Sequence, residues 1–297
     1  MAAVEHATSA QVSLQVGSRT DVGRKREHNE DSLLADSPVF IVADGMGGLE
    51  AGQRASAAVV AEFQGGVAGS GTGTSTGAGI GADDVVAAVE RAHAAARAVS
   101  ESTARGAGST LTGVVLIDHD DAPHWLIINV GDSRVYRLHR GELTQLTVDH
   151  SLAQELIDEG TLLKADVATF SRKNVITRAM GSDQSPPDYW LRPVVTGERL
   201  LVCSDGLSGE LSDESIKAGL TLGGTTQQTA DLLVARALEH GGRDNISVIV
   251  IDVTAGGVTS WNGVAIDDDA ANVMDTCTDD TRPLQRRAHA KAGPRAD

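Results

Sequence analysis

Basic side chains are scarce in this chain of 297 residues: 25 Lys and Arg stand against 41 Asp and Glu, a formal net charge of −16. That balance argues against nonspecific binding to nucleic acid or to an anionic membrane surface, both of which need a basic field. It suits a cluster of carboxylates around cations. Cysteine is scarcer still: Cys203 and Cys277 lie far apart in sequence and provide no disulfide framework, so a reducing cytosol is the simplest setting. Aromatic residues make up 3% of the chain against 41% hydrophobic residues overall. The core is therefore expected to consist mainly of Val, Leu, Ile and Ala. No run approaches the roughly 18 to 20 apolar residues of a membrane span, and Met1-Ala2-Ala3-Val4-Glu5-His6 has neither the basic nor the apolar region of a secretory signal. The expectation is a soluble cytoplasmic protein with no nucleic-acid or membrane partner.

The length allows one large or two small domains. Residues 1–11 read as a disordered leader, followed by strand-like alternation from Val12 to Val16. Pro38 to Ala43 is a short apolar run that stops at the turn signal Asp44-Gly45. Ala55, Ala58, Val59 and Phe63 suit a helix packed on a sheet. Gly, Ser, Thr and Ala from 65 to 81 form an aperiodic surface loop, and a long Ala-rich helix follows Asp83 and Asp84. Leu111–Ile117 and Trp125–Val130 read as strands joined by a turn over Asp118–Pro123, and Tyr136–Leu138 with Gly141–Leu146 as another hairpin. Helical periodicity returns at Ser151–Ile157 and Thr226–Leu238, with further strands at Leu200–Cys203 and Ser247–Val253. Strands joined by hairpins and interrupted by a few helices favour an α+β fold with antiparallel sheets. The folded unit is expected over 12–254, with a disordered tail over 255–297.

The chemistry lies in aspartates at strand ends. Asp44 ends Phe40-Ile41-Val42-Ala43, Asp132 follows Ile128-Asn129-Val130-Gly131, Asp205 ends Leu201-Val202-Cys203-Ser204, and Asp244 precedes the strand that starts at Ile246. One Asp-Gly pair after a strand is most often only a turn. Four carboxylates brought to one place repel one another unless protons or cations neutralise them. Oxygen ligands without His or Cys select Mg²⁺ or Mn²⁺.

The contexts of these aspartates carry a resemblance. Thr20-Asp21-Val22-Gly23, Arg26-Glu27-His28-Asn29-Glu30-Asp31, Val42-Ala43-Asp44-Gly45-Met46-Gly47-Gly48, Gly108-Ser109-Thr110, Gly131-Asp132-Ser133, Asp149-His150-Ser151, Asn174 to Gly181, Ser204-Asp205-Gly206 and Gly242-Arg243-Asp244-Asn245 occur in order. In this the chain resembles the metal-dependent Ser/Thr protein phosphatases of the type 2C (PPM) family, in their compact bacterial form, over about 12–253. The resemblance implies a four-layer α-β-β-α sandwich of two antiparallel sheets flanked by helices. It implies two Mn²⁺ or Mg²⁺ ions and a weaker third. By position, Asp44 would bridge two ions, Gly45 would offer its carbonyl, Asp205 and Asp244 would bind the other ion, and Asp132 with Asp205 would hold the third. Glu30 and Asp31 would bind through or orient metal waters, and Arg26 would grip the substrate phosphate, with Arg24 and Lys25 as alternatives. The implied reaction is hydrolysis of phosphoserine and phosphothreonine on proteins by in-line attack of a metal-bridging hydroxide, opposing a Ser/Thr kinase. A monomer is the family default.

Two departures stand out. Met46 occupies a place where eukaryotic relatives often carry His, and Phe170-Ser171 replaces a common His-Pro in the segment 160–173, which corresponds to a mobile flap. His150 reads as a structural hydrogen-bonding or helix-capping residue, His28 as an exposed or supporting one, and Cys203 as a small buried hydrophobe. The competing readings are a docking module with the same fold and a phosphoesterase for small phosphorylated metabolites.

Overall fold

Residues 12–47, 50–67, 80–183 and 185–259 are described by a computed structural model. The expected leader, most of the Gly/Ser/Thr loop and the tail from 260 lie outside the described residues. The strands are β1 (Ser13–Asp21), β2 (Asp31–Asp36), β3 (Val39–Gly47), β4 (Ala107–Ser109), β5 (Leu111–His119), β6 (Ala122–Val130), β7 (Arg134–His139), β8 (Glu142–Gln145), β9 (Asp188–Pro193), β10 (Arg199–Cys203) and β11 (Ile246–Ala255). The helices are α1 (Ala51–Gly66), α2 (Ala82–Glu101), α3 (Leu152–Asp158), α4 (Asp205–Ser208), α5 (Asp213–Leu222) and α6 (Thr226–His240).

The strands form two antiparallel sheets. One runs β1-β11-β10-β7-β8; the other runs β2-β3-β5-β6-β9, with β4 pairing the end of β3. Successive side chains on a strand point to opposite faces, and here both faces are covered. From β3, Phe40 and Val42 meet Val135, Leu200, Val202, Ile249 and Ile251 between the sheets. Val39, Ile41 and Ala43 turn outward against Val59, Phe63, Val85 and Ala88 of α1 and α2. On the other side Leu201, Cys203, Val248 and Val250 pack against Ile216, Leu220, Leu233 and Val234 of α5 and α6. Coverage of both faces explains why these strands read as continuous apolar runs. The result is the expected four-layer sandwich, with a core dominated by aliphatic side chains.

Local sequence sets the connections. The β5–β6 turn is tighter than the expected Asp118–Pro123: only Asp120 and Asp121 lie between the strands, at φ 50 and 57. Arg140 and Gly141 make the equivalent β7–β8 turn. Such left-handed pairs match the twist of an antiparallel hairpin. Ser151 caps α3 by accepting from Gln154 N–H at 3.2 Å, and Thr225 with Gln228 forms a capping box on α6. The chain also continues past 254, because Val258 N–H donates to Val194 O at 2.8 Å. Among the described residues, no helix is long and apolar enough to cross a membrane.

Candidate metal centre

The aspartates meet at one end of the sandwich. Asp44 lies opposite Asp31 of β2 in antiparallel register, which brings their side chains side by side on one face. Asp44-Gly45 is not the expected turn: β3 continues to Gly47, where β4 takes over from β5 along the same edge and in the same register. Thr110 fixes the junction, since its Oγ1 accepts from Asp44 N–H at 2.9 Å and its N–H donates to Asp44 O at 2.8 Å. A side chain at Gly45 would place Cβ 2.2 Å from Gly52 O and 2.6 Å from Glu30 O. Only glycine allows that close approach.

The other sheet supplies its acids from neighbouring strand ends. Asp205 follows β10 and opens α4, and Asp244 precedes β11, which pairs with β10. Asp132 sits where the chain crosses from β6 in one sheet to β7 in the other. Topology therefore gathers carboxylates that are distant in sequence.

Electrostatics registers the crowding. Burial raises the carboxyl of Asp44 well above its ordinary range, and the charges of Asp31, Asp205, Asp132 and Asp244 raise it further. Burial pushes Asp31 up to about 7; hydrogen bonds from Ser247 and Ser204 oppose the rise, while Asp205 and Asp244 add to it. Asp132 rises to about 8 through burial and the charges of Asp205 and Asp149. Burial and then Asp244 raise Asp205, against a hydrogen bond with Asp44.

No group of three His, Cys, Asp or Glu among the described residues is already arranged as an ion cage. The donor chemistry nevertheless fits a hard divalent ion. The ligating atoms are all oxygen, and Asp31 Oδ1 and Asp205 Oδ1 are buried without a hydrogen-bond partner, which is costly for a carboxylate.

Arg26 stands beside this cluster, but its Nη2 donates to Asp244 Oδ2 at 2.7 Å. Glu30 lies on the same loop with its carboxylate beside Gly52, and burial raises its carboxyl while Arg26 opposes the rise. Supporting residues that the sequence reading did not single out hold the acids in place. The Asn245 side-chain oxygen accepts from Glu30 N–H at 2.8 Å, and its amide donates to Val22 O and His28 O, both at 2.9 Å. Ser204 Oγ donates to Asp31 Oδ2 at 2.9 Å and accepts from Ser247 N–H at 2.9 Å. The signal was adjacency: Asn245 and Ser204 each flank a candidate aspartate.

His150 is buried and hydrogen-bonded, as a structural histidine would be, and the cap on α3 belongs to Ser151. Cys203 is buried, and burial pushes its thiol up to about 12, which removes it as a nucleophile. Met46 is partly exposed on β3. In the segment 160–173, Lys164–Thr169 forms a 3-10 turn, Leu163 is 69% exposed, and the Arg172 guanidinium lies 6.0 Å from the Phe170 ring centroid.

A family model described as Protein phosphatase 2C matches residues 23–238. The serine/threonine protein phosphatase PstP of Mycobacterium tuberculosis is 34% identical over 240 residues, spanning 81% of this chain and 45% of that protein. The chain thus spans about half the length of that relative. The serine/threonine phosphatase stp of Listeria monocytogenes is 34% identical over 246 residues, covering 79% of this chain and 94% of that protein. The crystal structure of Mycobacterium tuberculosis PstP superposes with a TM-score of 0.74 at 34% identity, covering 82% of this chain and all of that one (100%). The PstP catalytic domain in complex with two manganese ions gives 0.72 at 33% identity, again covering 82% of this chain and 100% of that one.

Proposed function

The chain belongs to the protein phosphatase 2C family, and on that premise we propose that it is a metal-dependent hydrolase of phosphoserine and phosphothreonine in proteins. The observation that carries the reading is the convergence of Asp31, Asp44, Asp132, Asp205 and Asp244, with burial and neighbouring carboxylates raising the first four above the ordinary carboxylate range. The catalytic unit assigned to this reaction is residues 12–254. Asp44, the Gly45 carbonyl, Asp205 and Asp244 would hold a pair of Mn²⁺ or Mg²⁺ ions, and Asp132 with Asp205 a third. When bound, such ions neutralise the phosphate dianion and lower the pKa of a water towards neutrality.

The chain's own groups do the rest. Asp31 and Glu30 orient water at the edge of the cluster, supported by Ser204 and Asn245. Arg26 binds the substrate phosphate. Its side chain is half exposed, and its bond to Asp244 is an ion pair open to solvent, weak enough to exchange for another anion. A guanidinium fork can donate two parallel hydrogen bonds to a phosphate, which an ammonium cannot. The substrates are phosphoproteins, and the opposing activity is a Ser/Thr kinase.

Phosphate release from a phosphothreonine peptide with Mn²⁺, with Mg²⁺ and with EDTA tests this reading. Wild type is expected to require a metal, and Asp205→Ala to lose at least about 100-fold in rate, because a ligand shared between sites disappears. Undiminished turnover in Asp205→Ala would overturn the metal assignment. No release by folded, metal-loaded wild type would favour a docking module instead, and a preference for small phosphoesters over the peptide would favour a metabolite phosphoesterase.

A further inference from the structure

Gly131, immediately before Asp132, is held from two sides by a single residue. His150 N–H donates to Gly131 O at 2.8 Å, and Gly131 N–H donates to His150 Nδ1 at 3.2 Å. The glycine itself is in the left-handed region, at φ 114, and a Cβ there would lie 2.5 Å from Thr110 Cγ2. Asn129 Nδ2 adds a third bond, donating to Gly131 O at 3.1 Å. The backbone that aims Asp132 is therefore fixed by tertiary contacts and not by local preference.

The imidazole is fixed in turn. Nε2 faces two groups, Asp188 Oδ2 at 3.0 Å and Arg178 Nη1 at 3.1 Å. Because Nδ1 accepts from Gly131 N–H, the proton of a neutral ring lies on Nε2 and is donated to Asp188, and the Arg178 contact is a proximity and not a hydrogen bond to that nitrogen. Asp188 Oδ1 accepts from Arg178 Nη1 at 2.9 Å. His150 and Asp188 are both buried, at 5% and 6% exposure, so water does not compete for these bonds. A carboxylate that selects the tautomer of an imidazole, which then orients a ligand-bearing loop, has the logic of an outer ligand shell.

We propose that His150 is a positioning residue for Asp132, its ring oriented by Asp188 so that Nδ1 faces the Gly131 N–H. The proposal rests on the phosphatase reading and assigns His150 no contact with substrate. It predicts that the effect of His150 passes through Asp132 alone.

The test is a double-mutant cycle of His150→Leu with Asp132→Ala, read by phosphopeptide turnover, together with calorimetric titration of Mn²⁺ into each protein. His150→Leu is expected to lower kcat roughly 10-fold, in line with losses at outer-shell residues, and to weaken the weakest Mn²⁺ site by a similar factor while leaving the tighter ions unchanged. In the Asp132→Ala background the same substitution is expected to change the residual kcat by less than about 2-fold. His150→Asn, which keeps an acceptor near the place of Nδ1, is expected to recover part of the loss. An equal loss of kcat in both backgrounds, or uniform weakening of all Mn²⁺ ions, would mark a merely structural histidine and overturn the proposal. If His150→Leu does not fold, Asp188→Asn leaves the ring in place, frees its tautomer and is read by the same criteria. The titration is independent of turnover, so a wild type that binds Mn²⁺ but releases no phosphate would count against the phosphatase reading while His150 is still judged.

Discussion

Both oxygens of Asp244 are engaged: Oδ2 accepts from Arg26 and Oδ1 accepts from Asn245 N–H at 2.8 Å. On the proposed reading Arg26 and a cation would compete for one carboxylate, and two consequences follow at this single side chain. Arg26→Ala should raise KM for a phosphothreonine peptide by roughly 10- to 100-fold, the range for losing a charge-assisted hydrogen bond to phosphate. The same substitution should tighten Mn²⁺ binding, measured by calorimetry, because the competitor is gone. Steady-state kinetics with unchanged KM would move phosphate binding to Arg24 or Lys25. The aspartates themselves were legible from the sequence, since each sits beside a strand end in a distinctive context. The Arg26–Asp244 pair was not, because the two residues are 218 positions apart and only the fold brings the loop after β1 to the start of β11. Asn245 escaped notice for the same reason, its three partners lying more than 200 residues away in sequence (separations of 215, 223 and 217).

At the scale of elements, β3 is the member on which the site depends most. Its sequence predicts an end at Asp44-Gly45, which has the composition of a turn. Tertiary pairing overrode that preference, with β4 and the main chain of Glu30 taking up the strand's continuation. Gly45→Ala tests the account. With Gly52 O and Glu30 O inside contact distance of any Cβ, the backbone must move, and a cost of about 1–3 kcal/mol is expected. Thermal melts should show a lower Tm, and calorimetry weaker Mn²⁺ binding; a wild-type Tm with intact Mn²⁺ affinity would show that β3 tolerates the shift. The strands and helices that escaped the sequence reading have physical reasons too. β9 is a short edge strand ending in Pro193 and preceded by two prolines, and proline argues against a strand on pattern alone. β2 has six residues with an acid at each end, so little alternation is available to read. α5 carries Gly219 near its middle, which weakens a helical signal.

At the scale of the whole molecule, the carboxylate cluster couples folding to pH and, on the proposed reading, to metal. The sandwich was readable because both faces of its central strands bury apolar side chains, but the energetic tension at its end becomes visible only when four separate strand ends are brought together. Unfolded, the aspartates titrate near about 3.9. Folded, Asp31 is raised to about 7, Asp132 to about 8, and Asp44 and Asp205 are raised as well. Between roughly pH 4 and pH 8 the native state thus binds more protons than the unfolded chain, and stability falls as pH rises through that window. Below it, all these groups are protonated in both states and the destabilisation is absent. Divalent ions bound at these carboxylates, as proposed, would act in the opposite sense, because they favour the ionised form and displace protons. Thermal melts at pH 5 and pH 8, in EDTA and in excess Mn²⁺, should show Tm falling with pH in EDTA and the increment from Mn²⁺ growing with pH. Asp132→Asn removes one raised carboxyl and should flatten the EDTA slope. A Tm in EDTA that held steady between pH 5 and pH 8 would mean that the cluster is relieved by solvent, and the electrostatic argument for a metal at this end of the sandwich would lose its basis.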